Sequence, residues 1–114
     1  MATKEQSHLY EGMYIISATL SEDARNKAFD RITDGISKKK GDVKKVHPMG
    51  RKKFAYPIEG KREGYYYLVY FEAPPKAIKE MWKEYHLNED LIRFMHIRTE
   101  EVQETIEFKP LVEE

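Results

Sequence analysis

Apolar and polar positions along the chain alternate in two distinct periods. Over residues 10–18 the period is two: Tyr10, Gly12, Tyr14 and Ile16 share one face, and Glu11, Met13 and Ile15 share the other. That alternation predicts a strand, weakened at Gly12 by the lack of a side chain. Residues 22–40 change to helical spacing, with Ala24, Ala28, Phe29, Ile32 and Ile36 on one stripe. Ser21 is placed as an N-cap, Glu22 and Asp23 suit the first turn, and Lys38, Lys39 and Lys40 suit the last. Gly41 stands where a left-handed C-cap belongs.

Residues 42–58 read as an extended but interrupted segment. Val46, Phe54, Tyr56 and Ile58 share one parity, and Pro48 and Gly50 break the middle. Pro57 cannot donate to a ladder, which places this strand on a sheet edge. Residues 59–64, EGKREG, predict a hairpin loop, and residues 65–72, YYYLVYFE, the strongest strand of the chain. Pro74 and Pro75 open a second helix, with Ile78, Met81, Trp82 and Tyr85 as its core stripe. Residues 91–99 predict a fourth strand whose inward and outward parity the pattern leaves open.

The order β-α-β-β-α-β over about 100 residues is the ferredoxin-like pattern: an α+β fold with a four-stranded antiparallel sheet and two helices on one face. The expected division is an N-terminal extension over 1–8, one domain over 9–100 and an acidic tail over 101–114.

Composition narrows the chemistry. The 114 residues contain no cysteine, which excludes a disulfide scaffold, a thiol nucleophile and a thiolate zinc site. Neither a signal-peptide apolar run nor a membrane-length stretch is present, so the expectation is a soluble, cytoplasmic protein. His8, His47, His86 and His96 show no metal-ligand spacing, and no serine lies in a nucleophile-elbow context. No Gly-rich phosphate loop or carboxylate pair can be assembled either, so neither an enzyme nor a bound cofactor or metal is expected.

Charge changes the picture. The formal net charge is zero, yet residues 38–62 carry ten basic side chains against Asp42 and Glu59. The segment 99–114 holds six glutamates against one lysine. A basic cluster on one helix end, one edge strand and one hairpin suits a phosphate backbone.

The segment GRKKFAYPIEGKREGYYYLVYFEAP, Gly50 to Pro74, resembles the bacterial small-subunit ribosomal protein S-six family. The opening Tyr10-Glu11, the basic pair before A-Y-P-I, the G-Y that opens the third strand and Arg93 in the fourth all fit that resemblance, over residues 9 to about 100. It implies a ferredoxin-like, non-catalytic, ribosome-associated protein. Such a protein binds the central domain of small-subunit ribosomal RNA together with ribosomal protein S-eighteen, as a heterodimer. Carried over, the resemblance makes Arg51, Lys52 and Lys53 the RNA contact, with Lys61, Arg62 and Arg93 as further contacts. Met13, Ile15, Tyr66, Leu68 and Tyr70 would line the helix-free face for the protein partner. Gly12 and Tyr14 depart from the family pattern, which has larger aliphatic residues or Phe there.

A second reading shares the same element order: an RNA-recognition module that stacks single-stranded bases on its sheet. Gly64 to Tyr70 fits part of its third-strand motif, with Glu63 in place of a basic residue and Tyr66 in place of a small one. That reading exposes Tyr65 and Tyr67, whereas the ribosomal reading turns them toward the helices.

Overall fold

In the computed structural model, which describes residues 7–58 and 60–104, the elements follow in the expected order. They are β1 (His8–Ser17), α1 (Glu22–Lys38), β2 (Asp42–Ile58), β3 (Lys61–Ala73), α2 (Pro75–His86) and β4 (Leu91–Arg98). The sheet order is β2-β3-β1-β4, with β1–β3, β1–β4 and β2–β3 all antiparallel. The proline-bearing β2 lies on an edge, where a missing N–H costs no ladder bond. Apart from Ser7 and His8, the proposed N-terminal extension lies outside the described residues, and His8 already pairs with Ala73 in β1.

Each helix forms for local reasons. The Ser21 hydroxyl accepts from the Ala24 amide at 3.2 Å, and Ala28, Ile32 and Ile36 bury one stripe of α1. The helix ends two residues before the sequence suggests. Gly41 N–H donates to the Ile36 carbonyl at 2.8 Å and Lys40 N–H to the Ser37 carbonyl at 3.2 Å, which is a Schellman closure. The left-handed residue in it is Lys40, with φ +69°, and not Gly41. Gly41 answers a different need: a Cβ there would sit 2.6 Å from Ile36 Cγ2 and 2.8 Å from the Ile36 carbonyl oxygen.

The principal core lies between helices and sheet, and includes Tyr14, Ile16, Ile32, Ile36, Val69, Phe71, Met81 and Tyr85. Trp82 is not part of it. The expected core stripe of α2 turns at that residue, which is 42% exposed, while Ala77 takes an inner position beside Ile78, Met81 and Tyr85.

The second edge strand departs most from its sequence pattern. Register shifts occur between Val43 and Lys45, between Pro48 and Gly50, and between Lys53 and Ile58. Gly50, with φ +88°, supplies the backbone for the middle one. A one-residue slip reverses the faces. Val46 therefore packs on the helix-side core, whereas Phe54 and Ile58 join Ile15, Tyr66 and Ile92 in a smaller cluster on the opposite face. The single parity expected for Val46, Phe54, Tyr56 and Ile58 is thus divided, and Tyr56 is 67% exposed. The hairpin is also tighter than the six-residue loop the sequence suggests. Ile58 pairs directly with Lys61, Gly60 has φ +78°, and Glu63 and Gly64 belong to β3.

Candidate nucleic-acid interface

The ladder sorts the basic run of β2 onto two faces. Arg51 pairs with Tyr65 and Lys53 with Glu63, so both share the helix side of the sheet. Lys52 pairs with Gly64 and takes the helix-free side. Arg51 is neutralised where it stands: its Nε donates to Glu63 Oε1 at 2.8 Å and its second guanidinium nitrogen to Oε2 at 3.2 Å. This fork holds the Glu63 carboxyl below its ordinary range, chiefly through the hydrogen bond. Glu63, the residue that spoils the RNA-recognition motif in the sequence, is the partner of the first basic residue of the run.

Lys61 and Arg62 follow the hairpin turn directly and make no ion pair among the described residues. Arg93 lies across from Ile15 on β4, exposed on the helix-free face, and its charge acts on Tyr66. Lys52 and Arg93 therefore stand on the same face, three strands apart, or about 15 Å at the usual ~4.8 Å spacing. All six proposed RNA contacts lie toward the hairpin half of the sheet, with Lys52 and Arg93 on the helix-free face and Arg51 and Lys53 on the reverse.

Register settles the orientation of the five residues proposed for the partner. Met13 pairs with Leu68, Ile15 with Tyr66 and Glu11 with Tyr70, so all five share the helix-free side. In the free chain, however, Ile15, Tyr66, Leu68 and Tyr70 are buried, and only Met13 is partly accessible. Two layers cover that face. At the hairpin end, Phe54 lies 6.2 Å from the Tyr66 ring, admitted by Gly64, where a Cβ would meet Ile15 Cγ2 at 2.5 Å and Phe54 Cζ at 3.1 Å. At the other end, the chain after β4 crosses back over the sheet. Thr99 N–H donates to the Leu9 carbonyl at 2.9 Å, the His47 ring nitrogen Nε2 donates to the Gln103 carbonyl at 2.7 Å, and Lys45 pairs with Glu104 at 3.4 Å. Burial, together with its hydrogen bond to Glu11 (2.7 Å), pushes the Tyr70 hydroxyl up to about 12. Residues 101–104 of the proposed tail are therefore part of the folded domain, and the rest of it lies outside the described residues.

The sequence pattern overlooked two residues on this face. Met95 pairs with Met13 and Ile97 with Glu11, and they are 48% and 50% exposed. The parity of β4 was ambiguous from its own sequence, and only the register with β1 resolves it.

The stacking alternative fails on geometry. Tyr67 is buried against α1, its ring stacked on Phe29 at 4.3 Å and 20°. Tyr65 lies under the Arg25 guanidinium, 3.9 Å from the ring centroid. Neither ring is presented to a base.

The departures at Gly12 and Tyr14 belong to one polar chain that runs from the half-exposed Trp82 into the core. Trp82 Nε1–H donates to His96 Nδ1 at 3.0 Å, so the neutral ring carries its proton on Nε2. That nitrogen donates to Tyr14 Oη at 2.7 Å, and Tyr14 in turn donates to Tyr85 Oη at 3.0 Å. Gly12, the ladder partner of His96, makes room: a Cβ there would lie 2.9 Å from Tyr14 Oη and 3.0 Å from His96 Cδ2. Burial lowers the His96 imidazole to about 4 and raises the Tyr14 and Tyr85 hydroxyls. The chain of bonds satisfies every member, as a buried polar network must.

Among the described residues no group of three His, Cys, Asp or Glu side chains is placed to hold a metal, and no helix is long and apolar enough to cross a membrane. Comparison with known proteins identifies the class. The Ribosomal protein S6 family matches residues 9–98. The small ribosomal subunit protein bS6 of Protochlamydia amoebophila (strain UWE25) is 63% identical over 114 residues, covering 100% of this chain and 99% of its own. The bS6 protein of Chlamydia pneumoniae is 56% identical over 110 residues, covering 96% and 98%. The crystal structure of 30S ribosomal protein S6 from Thermotoga maritima superposes with a TM-score of 0.78 at 32% identity, covering 82% of this chain and 89% of that one. Fold and relatives together define a structural protein of the small ribosomal subunit, not an enzyme. The chain belongs to the ribosomal protein S6 family.

Proposed function

We propose that this chain binds the central domain of small-subunit ribosomal RNA and pairs with ribosomal protein S-eighteen, acting on the ribosome in the cytoplasm. The observation that carries the RNA half is the collection of Lys52, Lys61, Arg62 and Arg93 toward one half of the sheet, with Arg51 withdrawn into its bond to Glu63. Lys61, Arg62 and Arg93 make no ion pair among the described residues, and such cations release counterions from phosphates more readily than a neutralised guanidinium does. The partner half rests on Met13, Met95 and Ile97, an apolar patch on the helix-free face bounded by Arg93. Buried Ile15, Tyr66, Leu68 and Tyr70 form the layer beneath that patch and hold its shape.

The test is the salt dependence of binding to a central-domain transcript. Lys52→Ala with Arg93→Ala should reduce the slope of log K against log salt by about 1.5, for two phosphates at ~0.7–0.9 each. An unchanged slope would remove these residues from the RNA contact. Met95→Asp with Ile97→Asp should abolish heterodimer formation while leaving the circular dichroism spectrum intact. Retained pairing would move the partner elsewhere.

A further inference from the structure

The ten basic residues of 38–62 are contiguous in sequence but not in space. Lys61 and Arg62 begin β3 at the hairpin, whereas Lys38, Lys39 and Lys40 close α1 at the opposite end of the sheet, where Gly41 lies against the Glu72 carbonyl. The length of β3 between these ends is about 40 Å at ~3.3 Å per residue.

At that far end the α1 terminus meets the start of α2. A concavity of about 390 Å³ lies between them, lined by Lys38, Lys39, Lys40, Lys76 and Glu80 with Pro74 and Ala77. Lys76 arrives from a separate element, 36 residues after Lys40, so the cluster is assembled by the fold. Pairing divides its members. Lys39 is tied to Glu84, while Lys38, Lys40 and Lys76 make no ion pair among the described residues. Elsewhere in the basic stretch, Lys44 is held by Asp42 and Glu72, Lys45 by Glu104 and Arg51 by Glu63. The first turn of α2 contains no carboxylate to compete for them. Lys40, in addition, occupies the left-handed position of the Schellman closure, which glycine fills with less strain. The chain keeps a charge there at a conformational cost.

We infer that this lysine-lined concavity between the end of α1 and the start of α2 is a second contact for an RNA sugar-phosphate backbone, so that one chain bridges two RNA segments about 40 Å apart. The inference rests on the RNA-binding reading above and extends it to a surface that the hairpin residues do not reach. A polyanion fits better than an acidic protein patch, because the three uncommitted lysines converge on a concave surface with a single glutamate in its lining.

The experiment uses the full chain with its protein partner and a central-domain transcript, read by binding across a salt series and by hydroxyl-radical footprinting. The triple variant Lys38→Ala, Lys40→Ala, Lys76→Ala should reduce the salt slope by about 2.4, for three phosphates at ~0.7–0.9 each. It should also lose protection on one RNA segment while the other stays protected. Lys40→Gly alone should weaken binding without lowering the melting temperature, which separates the charge from the fold. If the triple variant leaves slope and footprint unchanged while the Lys52 and Arg93 variant weakens binding, this inference is wrong and the hairpin contact stands. If neither variant alters the slope, the RNA reading itself fails. Weakened heterodimer formation with an unchanged RNA slope would make the concavity a protein contact and overturn the inference.

Discussion

Protonation of His96 is the perturbation that tests the polar chain most directly. Its Nδ1 accepts from Trp82 and its Nε2 donates to Tyr14, so a second proton would set two N–H donors against each other inside an aromatic cage of Tyr14, Phe71, Trp82, Tyr85 and Phe94. Burial places the folded-state value at about 4, against 6.5 for the free side chain. Between those values the unfolded chain binds a proton that the folded chain refuses, so stability rises with pH through this window. The contribution is complete above pH 6.5, falls as the solution is acidified, and levels off below pH 4. Each unit is worth 1.36 kcal/mol, so the full loss is about 3 kcal/mol, of which about 2 kcal/mol is gone by pH 5. The assay is urea denaturation of the parent and of His96→Gln from pH 7.5 to pH 4.5. The parent should lose about 2 kcal/mol more than the variant over pH 7.5–5. Equal losses, or a folded-state His96 resonance titrating near 6.5, would refute the reasoning.

The same network makes Gly12 sensitive. Gly12→Ala should destabilise by about 1–3 kcal/mol through overpacking, and Tyr14→Phe, which removes the hydroxyl the new methyl would strike, should restore part of that loss in a thermal melt. Phe29→Ala removes the ring stacked on Tyr67 and should cost about 3 kcal/mol in urea denaturation; a loss below 1 kcal/mol would mean that the stack contributes little. Glu11→Gln removes the carboxylate that accepts from the Tyr70 hydroxyl and should lower that hydroxyl from about 12, followed by carbon-detected NMR of the labelled ring. An unmoved Tyr70 would show that burial alone holds it up.

Much of this architecture was legible in residue order alone. Local rules suffice for α1, because its N-cap, its acidic first turn and its apolar stripe lie within a few residues of one another. The edge position of β2 followed from Pro57, and the inward turn of Tyr65 and Tyr67 from the family resemblance. Legibility stopped where a position depends on a distant partner. Lys40 and not Gly41 takes the left-handed angle because Gly41 is needed against Ile36 and the Glu72 carbonyl. Trp82 leaves the core stripe because His96, fourteen residues on, offers its indole an acceptor.

The candidate site divides along the same line. Residue order determined that the chain carries a dense basic stretch and four strands in the ferredoxin-like order, because charge, period and turn chemistry are properties of neighbours along the chain. Only the tertiary structure decided which charges remain free to meet a polyanion. The pleat sends Lys52 and Arg51 to opposite faces, the bulges in β2 decide which face each takes, and pairing with Glu63, Glu84 and Glu104 withdraws cations that look equivalent in the sequence. The physical reason is that a salt bridge and a strand face are set by what lies across the ladder, and the period of two along one strand carries no record of its partner's register.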